Sequence, residues 1–321
     1  MSPRLLSPRI RSIAGDRIAQ ALTDGRLVGR RGSGRLRHLL IRHGGDPAVT
    51  YDLGGTKVLL PLSHQLPVTR RRYPYYAENL GHVARLVTEM RGTTMIDVGA
   101  NVGDSAVIVK RHAPQIAILC VDAEATYLPY LLSNTARWPD VEIAAPVLLA
   151  EQTGPITGAL VEHNGTARFD TSGSGSVAFS STTLDDLLRE QDRFAAPALL
   201  KSDTDGFEER VLRGAESTIA SALPVLFLEY EPRLLRHADT DGLEMLGWLG
   251  SLGYQRLAIY DKFGRLMLRC DLTDVALLRD LHAYASSPGC VVDAFDLVVV
   301  AEQSLPILDR LAEVEGPIDL P

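Results

Sequence analysis

Cysteine is scarce: Cys120, Cys270 and Cys290 are the three in the chain, and no two of them form a Cys-x-x-Cys pair. A disulfide framework and a cysteine-ligated zinc site therefore lack their ligands, and a reducing, cytoplasmic compartment is expected. Long apolar runs are missing as well. No stretch of about 18 uncharged apolar residues occurs, which excludes a membrane-spanning helix. The arginine-rich start is not followed by an apolar segment with a small-residue cleavage site, so no secretory leader is expected. Glycine and proline, 27 and 18 residues, follow no short period, which removes a collagen-like chain. What is present is 321 residues, 45% hydrophobic and 23% charged, enough to fill a sizeable core and too apolar for a disordered chain.

The net charge of −7 conceals an asymmetry. Residues 1–42 hold ten arginines against two aspartates, a local balance of +8 that leaves −15 for the remainder. Such a segment suits nucleic acid, an acidic membrane surface or the acidic body of its own chain. No aromatic is interleaved with the arginines to stack on a base, so a solvated terminus is the plainer reading and no nucleic-acid partner is expected.

Thr50–Leu60 reads as a hairpin around Gly54-Gly55, closed by Pro61, and Leu80, Val83, Ala84 and Val87 mark an amphipathic helix. From residue 93 the pattern changes. Thr94–Val98, Ile116–Asp122, Val141–Leu149, Ala198–Ser202 and Pro224–Tyr230 are apolar throughout, as strands buried on both faces are. Helices are predicted between them at Ser105–His112, Ala125–Ala136, Thr183–Gln191 and Glu208–Ala222, then one opening at Asp241. This alternation predicts a parallel sheet with right-handed crossovers. Arg256–Tyr260, Arg265–Leu268 and Phe295–Val300 are read as closing strands, the last two an antiparallel ending, and Thr171–Ser181 as a mobile loop.

The sharpest local feature is Met95-Ile-Asp-Val-Gly-Ala-Asn-Val-Gly103, a strand ending at Asp97 that turns through Gly99, Asn101 and Gly103 into a helix. Glycine there lets backbone approach a ligand closely. Asn101 and Asp104 stand where a dinucleotide fingerprint has glycine, and an acid at the helix start repels a pyrophosphate. The second strand ends in Asp122, whose two oxygens match the two hydroxyls of a ribose. Asp97 suits an ammonium group or a role in fixing the loop. Adenosine with an amino-acid tail and no phosphate is S-adenosylmethionine. On spacing alone an NAD-type ligand and a ligand-free turn stay open.

Downstream, Leu200-Lys-Ser-Asp-Thr-Asp-Gly-Phe-Glu208 places Asp203 and Asp205 where the fourth strand becomes a loop, with Val211-Leu-Arg-Gly-Ala215 trailing it. Thr183-Leu-Asp-Asp-Leu-Leu188 precedes it and Pro224-Val-Leu-Phe-Leu-Glu-Tyr-Glu-Pro232 follows. With the Ile96–Gly103 segment, these four ordered motifs resemble the FkbM family of S-adenosylmethionine-dependent methyltransferases over about residues 75–302. The chain departs from the family at Ser202, usually aliphatic, and at Asp122-Ala123, often Glu-Pro. The resemblance implies a class I methyltransferase, an α/β Rossmann-like fold with a mostly parallel seven-stranded sheet and helices on both faces. It also implies methyl transfer to oxygen, usually a hydroxyl of a sugar, glycan or polyketide-like metabolite. The expected organisation is a basic segment 1–49, a hairpin and helix 50–92 acting as a substrate cap, the methyltransferase domain 93–302 and a tail 303–321.

Expected cofactor contacts are Asp97, Gly99, Asn101, Gly103, Asp122 and Ala123. Catalytic candidates are Asp203, Glu229 and His163, each with a plainer alternative: a helix cap for Asp203 and Asp205, solvated charge for Glu229 and Glu231, a surface turn for His163. The acceptor is placed on Tyr73, Tyr75, Tyr76 and Asn79 with His82, flat faces and phenol donors that otherwise pack the helix on the sheet. Partners are a small-molecule or glycan hydroxyl and, by self-association, a second copy. No metal site is expected. A non-catalytic nucleotide-fold module and an NAD-dependent sugar-modifying enzyme are the competing readings.

Overall fold

The computed structural model describes residues 13–27, 32–163, 166–170 and 177–315. The chain forms two compact units, residues 1–72 with 164–166, and residues 73–163 with 167–321. The division therefore falls after Arg72 and not at residues 49 and 92. In the smaller unit, helices α1 (Ile13–Thr23) and α2 (Ser33–His43) precede the hairpin β1 (Ala48–Leu53) and β2 (Thr56–Pro61) and helix α3 (Leu66–Arg72). The expected Gly-Gly turn is present, with Gly55 N–H donating to Asp52 at 2.7 Å. Within the described part of the basic segment, α1 and α2 are helical and turns and the start of β1 make up the rest. Gln20 bonds both backbone groups of Thr50 at 2.7 and 2.9 Å, and Arg37 donates to the carbonyls of Leu62 and Ser63 at 2.9 and 3.1 Å.

The larger unit opens with α4 (Glu78–Met90), whose Leu80, Val83, Ala84 and Val87 are buried as their spacing predicts. The chain then runs β3 (Thr94–Val98), α5 (Asp104–His112), β4 (Ala117–Val121), α6 (Leu128–Thr135), β5 (Val141–Ala144), β6 (Leu148–Leu149), β7 (Gly154–His163), β8 (Thr166–Asp170), β9 (Val177–Thr182) and α7 (Leu184–Leu188). It continues with β10 (Leu199–Ser202), α8 (Glu208–Arg213), α9 (Glu216–Ala222), β11 (Val225–Tyr230), α10 (Pro232–His237) and α11 (Gly242–Ser251). The last elements are β12 (Tyr254–Asp261), β13 (Leu266–Asp271), α12 (Val275–Ser286), β14 (Phe295–Ala301) and α13 (Leu305–Glu315).

Eight strands form the central sheet in the order β13-β12-β14-β11-β10-β3-β4-β5. The five from β11 to β5 are parallel, and β14, β12 and β13 each run antiparallel to their inner neighbour. This is the α/β, mostly parallel arrangement of a class I methyltransferase, with β13 added on the edge as an eighth strand. β12 inserts between β13 and β14, so the two C-terminal strands expected to pair do not touch in register. The unbroken apolar runs follow from burial on both faces. Ile96, Leu200, Leu226 and Leu228 belong to one core, Met95, Ile118, Leu199 and Phe227 to the other.

Four expectations fail for local reasons. Val141–Leu149 is not one strand: Pro146 has no N–H for a ladder, and Leu148–Leu149 pairs with β9 in a second sheet ordered β6-β9-β7-β8. Within the expected loop, residues 171–176 lie outside the described residues, while Val177–Thr182 forms β9, with Phe179 against Phe169 at 5.2 Å between ring centroids. The C-terminal tail contains α13, which buries Ile307, Leu308 and Leu311. The long helix from Glu208 breaks into α8 and α9 at Gly214, where a Cβ would lie 2.1 Å from the Ala150 carbonyl oxygen. Its φ of −71° is ordinary, so this glycine answers to space and not to conformation. Gly214→Ala is expected to lower stability by about 1–3 kcal/mol in urea unfolding, the usual cost of overpacking. A wild-type midpoint would show that the chain gives way there freely.

Candidate active site

The apolar runs of the parallel strands give way to polar residues at their carboxyl ends, and the candidate residues collect there. After β3 the chain turns through Gly99 (φ 77°), Asn101 (φ 46°) and Gly103 (φ 83°), conformations that favour glycine and tolerate asparagine. The glycines also answer to their neighbours. A Cβ on Gly99 would meet the Asp203 carbonyl oxygen at 1.8 Å, and one on Gly103 would meet Leu131 Cδ1 at 2.9 Å. The turn is thus packed tightly against the loop after β10.

Asp122, half-buried at the end of β4, holds the same turn. Its Oδ2 accepts the Asn101 N–H at 2.7 Å and its Oδ1 the Glu124 N–H at 2.8 Å, with Ala123 half-buried between. Burial raises its carboxyl, and those two amides oppose the rise. Each oxygen keeps a second lone pair, so a diol remains within its acceptor capacity.

Asp97 is fully buried and committed to the fold. One oxygen accepts from Ser105 Oγ, and the other lies 3.0 Å from Lys201 Nζ. Both of its oxygens thus have neighbours within the fold. Lys201, 4% exposed, had no role assigned from the sequence. Its Nζ also lies 3.2 Å from the Gly99 carbonyl oxygen and 3.6 Å from Asp203 Oδ2. Burial alone would pull its ammonium down, but Asp97 and Asp203 raise it above the ordinary lysine value. The signal for this residue was a lone cation in an apolar strand, in register with Asp97 on β3.

Asp203 and Asp205 do not cap the helix that follows. The position before α8 is Phe207, with no side-chain cap, and Glu208 itself folds back so that Oε1 accepts from the amides of Thr204 at 2.7 Å and Gly206 at 3.2 Å. Asp203 is left largely exposed beside Lys201. Of the tyrosines, Tyr73 stacks on Phe263 with centroids 3.8 Å apart, and Tyr75 is 61% exposed. Tyr76 is half-buried, and burial first, then Asp203, Asp104, Asp296 and Glu229, pushes its phenol well above its usual range. Asn79 is buried and donates to Asp296 at 2.7 Å, while His82 pairs with Glu315 at 2.8 Å. His163 ends β7, and its side chain lies outside the described residues. Ser202, where the family is aliphatic, is fully buried with no partner for its hydroxyl.

Residues 97–256 match the family model of the methyltransferase FkbM domain. These residues form an FkbM methyltransferase domain. S-adenosylmethionine is the methyl donor of such a domain. No curated protein matches the chain. Among solved structures, a methyltransferase FkbM from Methylobacillus flagellatus KT is similar at 20% identity and a TM-score of 0.37, the match covering 51% of this chain and 39% of that one. The chain thus spans well under half the length of that relative. M. jannaschii TYW2, solved with AdoMet, is similar at 10% identity and a TM-score of 0.38, covering 79% of this chain and 84% of that one. The N-methyltransferase NodS from Bradyrhizobium japonicum WM9, solved with S-adenosyl-L-homocysteine, is similar at 12% identity and a TM-score of 0.38, covering 73% and 91%.

The FkbM domain concentrates acids at its strand ends. Glu229 makes no hydrogen bond to a described residue, and its Oε2 is buried without a partner. Burial, then Asp203, Asp205, Glu208 and Asp296, drives its carboxyl well above the carboxylate range. Asp205 and Asp296 are pushed up to about 7, in each case chiefly by burial, with Asp203 adding to it.

Two measurements follow from this geometry. Lys201→Met strands the buried Asp97 carboxylate and should cost about 3–5 kcal/mol in urea unfolding, most of it restored by adding Asp97→Leu. Equal stability in the single variant would show that the pair carries little. Glu229 holds its proton in the folded chain at pH values where the unfolded chain has released it. Its contribution to stability is therefore complete below about pH 4 and is lost as pH rises. Glu229→Gln should melt about 2–4 °C higher than wild type near pH 8 and unchanged near pH 4. Identical melting at both pH values would place Glu229 in water.

Proposed function

We propose that the FkbM domain is an O-methyltransferase whose acceptor is a hydroxyl of a sugar, glycan or polyketide-like metabolite. The observation that carries this reading is Glu229, at the end of β11, whose Oε2 is buried without a hydrogen-bond partner and whose carboxyl lies within electrostatic reach of Asp203 and Tyr76. When bound, S-adenosylmethionine supplies an activated methyl group and a thioether leaving group. Asp122 holds the ribose diol with the lone pairs its loop amides leave over. Asp104 at the start of α5 disfavours a phosphate, as the donor chemistry requires. Glu229 orients the acceptor hydroxyl and, in its ionised form, takes the proton; burial and the neighbouring acids raise its proton affinity, which suits a base. Tyr76 closes the acceptor side, and Asp203 supports the charge near the turn.

No helix among the described residues is long and apolar enough to cross a membrane. Cys120 and Cys270 are buried thiols and Cys290 is also free, which supports a reducing, cytoplasmic setting.

Thermal-shift titration separates the donor reading from its rivals: S-adenosylhomocysteine is expected to raise the melting temperature and NAD to leave it unchanged. Asp122→Asn leaves one oxygen for the two turn amides that Asp122 accepts, so its melting temperature is measured alongside; it should weaken S-adenosylhomocysteine by about tenfold or more in calorimetry, since a charge-assisted bond to the ribose is lost. An unchanged affinity would take the ribose away from Asp122. Glu229→Gln should slow methyl transfer about 10²-fold without weakening S-adenosylhomocysteine, and NMR of the product should find the methyl group on oxygen.

A further inference from the structure

The smaller unit holds a cavity of about 130 Å³ that the methyl-transfer reading does not use. Its walls are apolar at Leu22, Val49, Leu62 and Val68, and two cations, Arg37 and Arg71, stand among them. Each is anchored by one nitrogen. Arg37 Nη2 donates to the carbonyls of Leu62 and Ser63 at 2.9 and 3.1 Å, and Arg71 Nη2 to that of Thr23 at 2.9 Å. Nε and Nη1 of both make no hydrogen bond to a described residue, and among the described residues neither arginine belongs to an ion pair. No acid lines the cavity. Asp46 attracts Arg37 through space, but its two oxygens accept from the amide and the hydroxyl of Ser63 at 2.8 and 2.6 Å.

Two guanidinium groups held in place at an apolar wall, with donors to spare and no counterion, make a site that an anion completes. The unit as a whole favours the same sign, since residues 1–72 hold fourteen Lys and Arg against four Asp and no Glu. α2 starts at the same wall with Ser33 and Gly34 and has neither a side-chain cap nor an acid in its first turn, so its dipole adds to the potential that the arginines set. Two fixed charges suit a dianion better than a carboxylate. A phosphate monoester brings a charge of about −1.5 to −2 and three strong acceptor oxygens. The apolar walls call for carbon beside it. The volume lies a little below the roughly 150 Å³ that takes up benzene, room for a phosphate with a few methylenes and too little for a nucleotide.

We infer that the smaller unit binds the phosphate of an alkyl monoester, received by Arg37 and Arg71 with its carbon chain along Leu22, Val49 and Leu62. Val68, 46% exposed, and the exposed Arg71 mark the mouth, through which a longer chain can leave. Such an ester comes either as a soluble compound or as the headgroup of an anionic lipid such as phosphatidic acid, and the chemistry at the arginines is the same for both. The site owes nothing to the donor turn or to Glu229, and it stands whether or not the acceptor is a glycan.

Calorimetry of the full chain at constant ionic strength compares butyl phosphate, butyrate and inorganic phosphate. Butyl phosphate is expected to bind about tenfold or more tightly than either, since butyrate lacks the second charge and inorganic phosphate lacks the chain. Gly34→Asp separates binding from folding. A Cβ at Gly34 meets nothing within 4 Å, and an acid in the first turn suits the α2 dipole, so the melting temperature should not fall. Its carboxylate brings like charge to the cavity wall, and butyl phosphate affinity should drop about tenfold or more. Arg71→Gln, an exchange at an exposed position, should weaken it similarly. Flotation with phosphatidylcholine vesicles, with and without phosphatidic acid, then names the source: capture by phosphatidic acid that butyl phosphate competes away makes the ester a lipid headgroup, and otherwise it is a soluble compound. Equal binding of butyl phosphate and butyrate, no heat from butyl phosphate, or an unchanged affinity in Gly34→Asp overturns the proposal.

Discussion

The buried ion pair between Lys201 and Asp97 is the constraint on which the site depends. It joins β10 and β3, neighbouring parallel strands of the sheet, at the level where their hydrophobic character ends. A charge in that position is tolerated only with a partner and with its remaining valences filled. Ser105 fills those of Asp97, and the carbonyls of Val98 and Gly99 serve Lys201. The pair is therefore less an ornament of the core than the floor of the turn above it. From this floor Asp203 emerges into solvent, and against it the 99–103 turn is set.

Beyond that floor the domain accumulates negative charge in a place where burial makes it costly. Burial and neighbouring acids raise the carboxyls of Glu229 and Asp296, so ionising them in the folded chain carries a cost that uncharged side chains at 229 and 296 would not. Chains keep such groups where the chemistry uses them, a trade of stability for function.

Much of the fold was legible because the relevant signals were local and redundant. Uninterrupted apolar runs announced strands covered on both faces, and the spacing of Leu80, Val83, Ala84 and Val87 announced the buried face of α4. The second sheet was not legible. β6 is only two residues long, β7 opens on Gly154-Pro155 and β9 follows a serine- and glycine-rich stretch, and Pro146 splits a run whose two ends join different sheets. The site was legible by position more than by role. Asp97, Asp122, Asp203 and Glu229 all stand at strand ends as their place in the pattern required. What Asp97 and Asp122 hold depends on partners far along the chain, Lys201 for one and the Asn101 amide for the other. Glu208 was invisible as a loop anchor because a helix-opening glutamate usually faces water.

The contact between Gly99 and the Asp203 backbone has a mechanical consequence. The turn assigned to the donor and the loop leading to the acceptor side touch where no room exists for even a methyl group. Neither can be displaced without the other, so the two ligand sites are thermodynamically linked through a rigid joint. Whichever ligand arrives first settles that joint, and the second then binds to a surface already in its final position, so each ligand strengthens the other's binding by the same factor in either order of arrival.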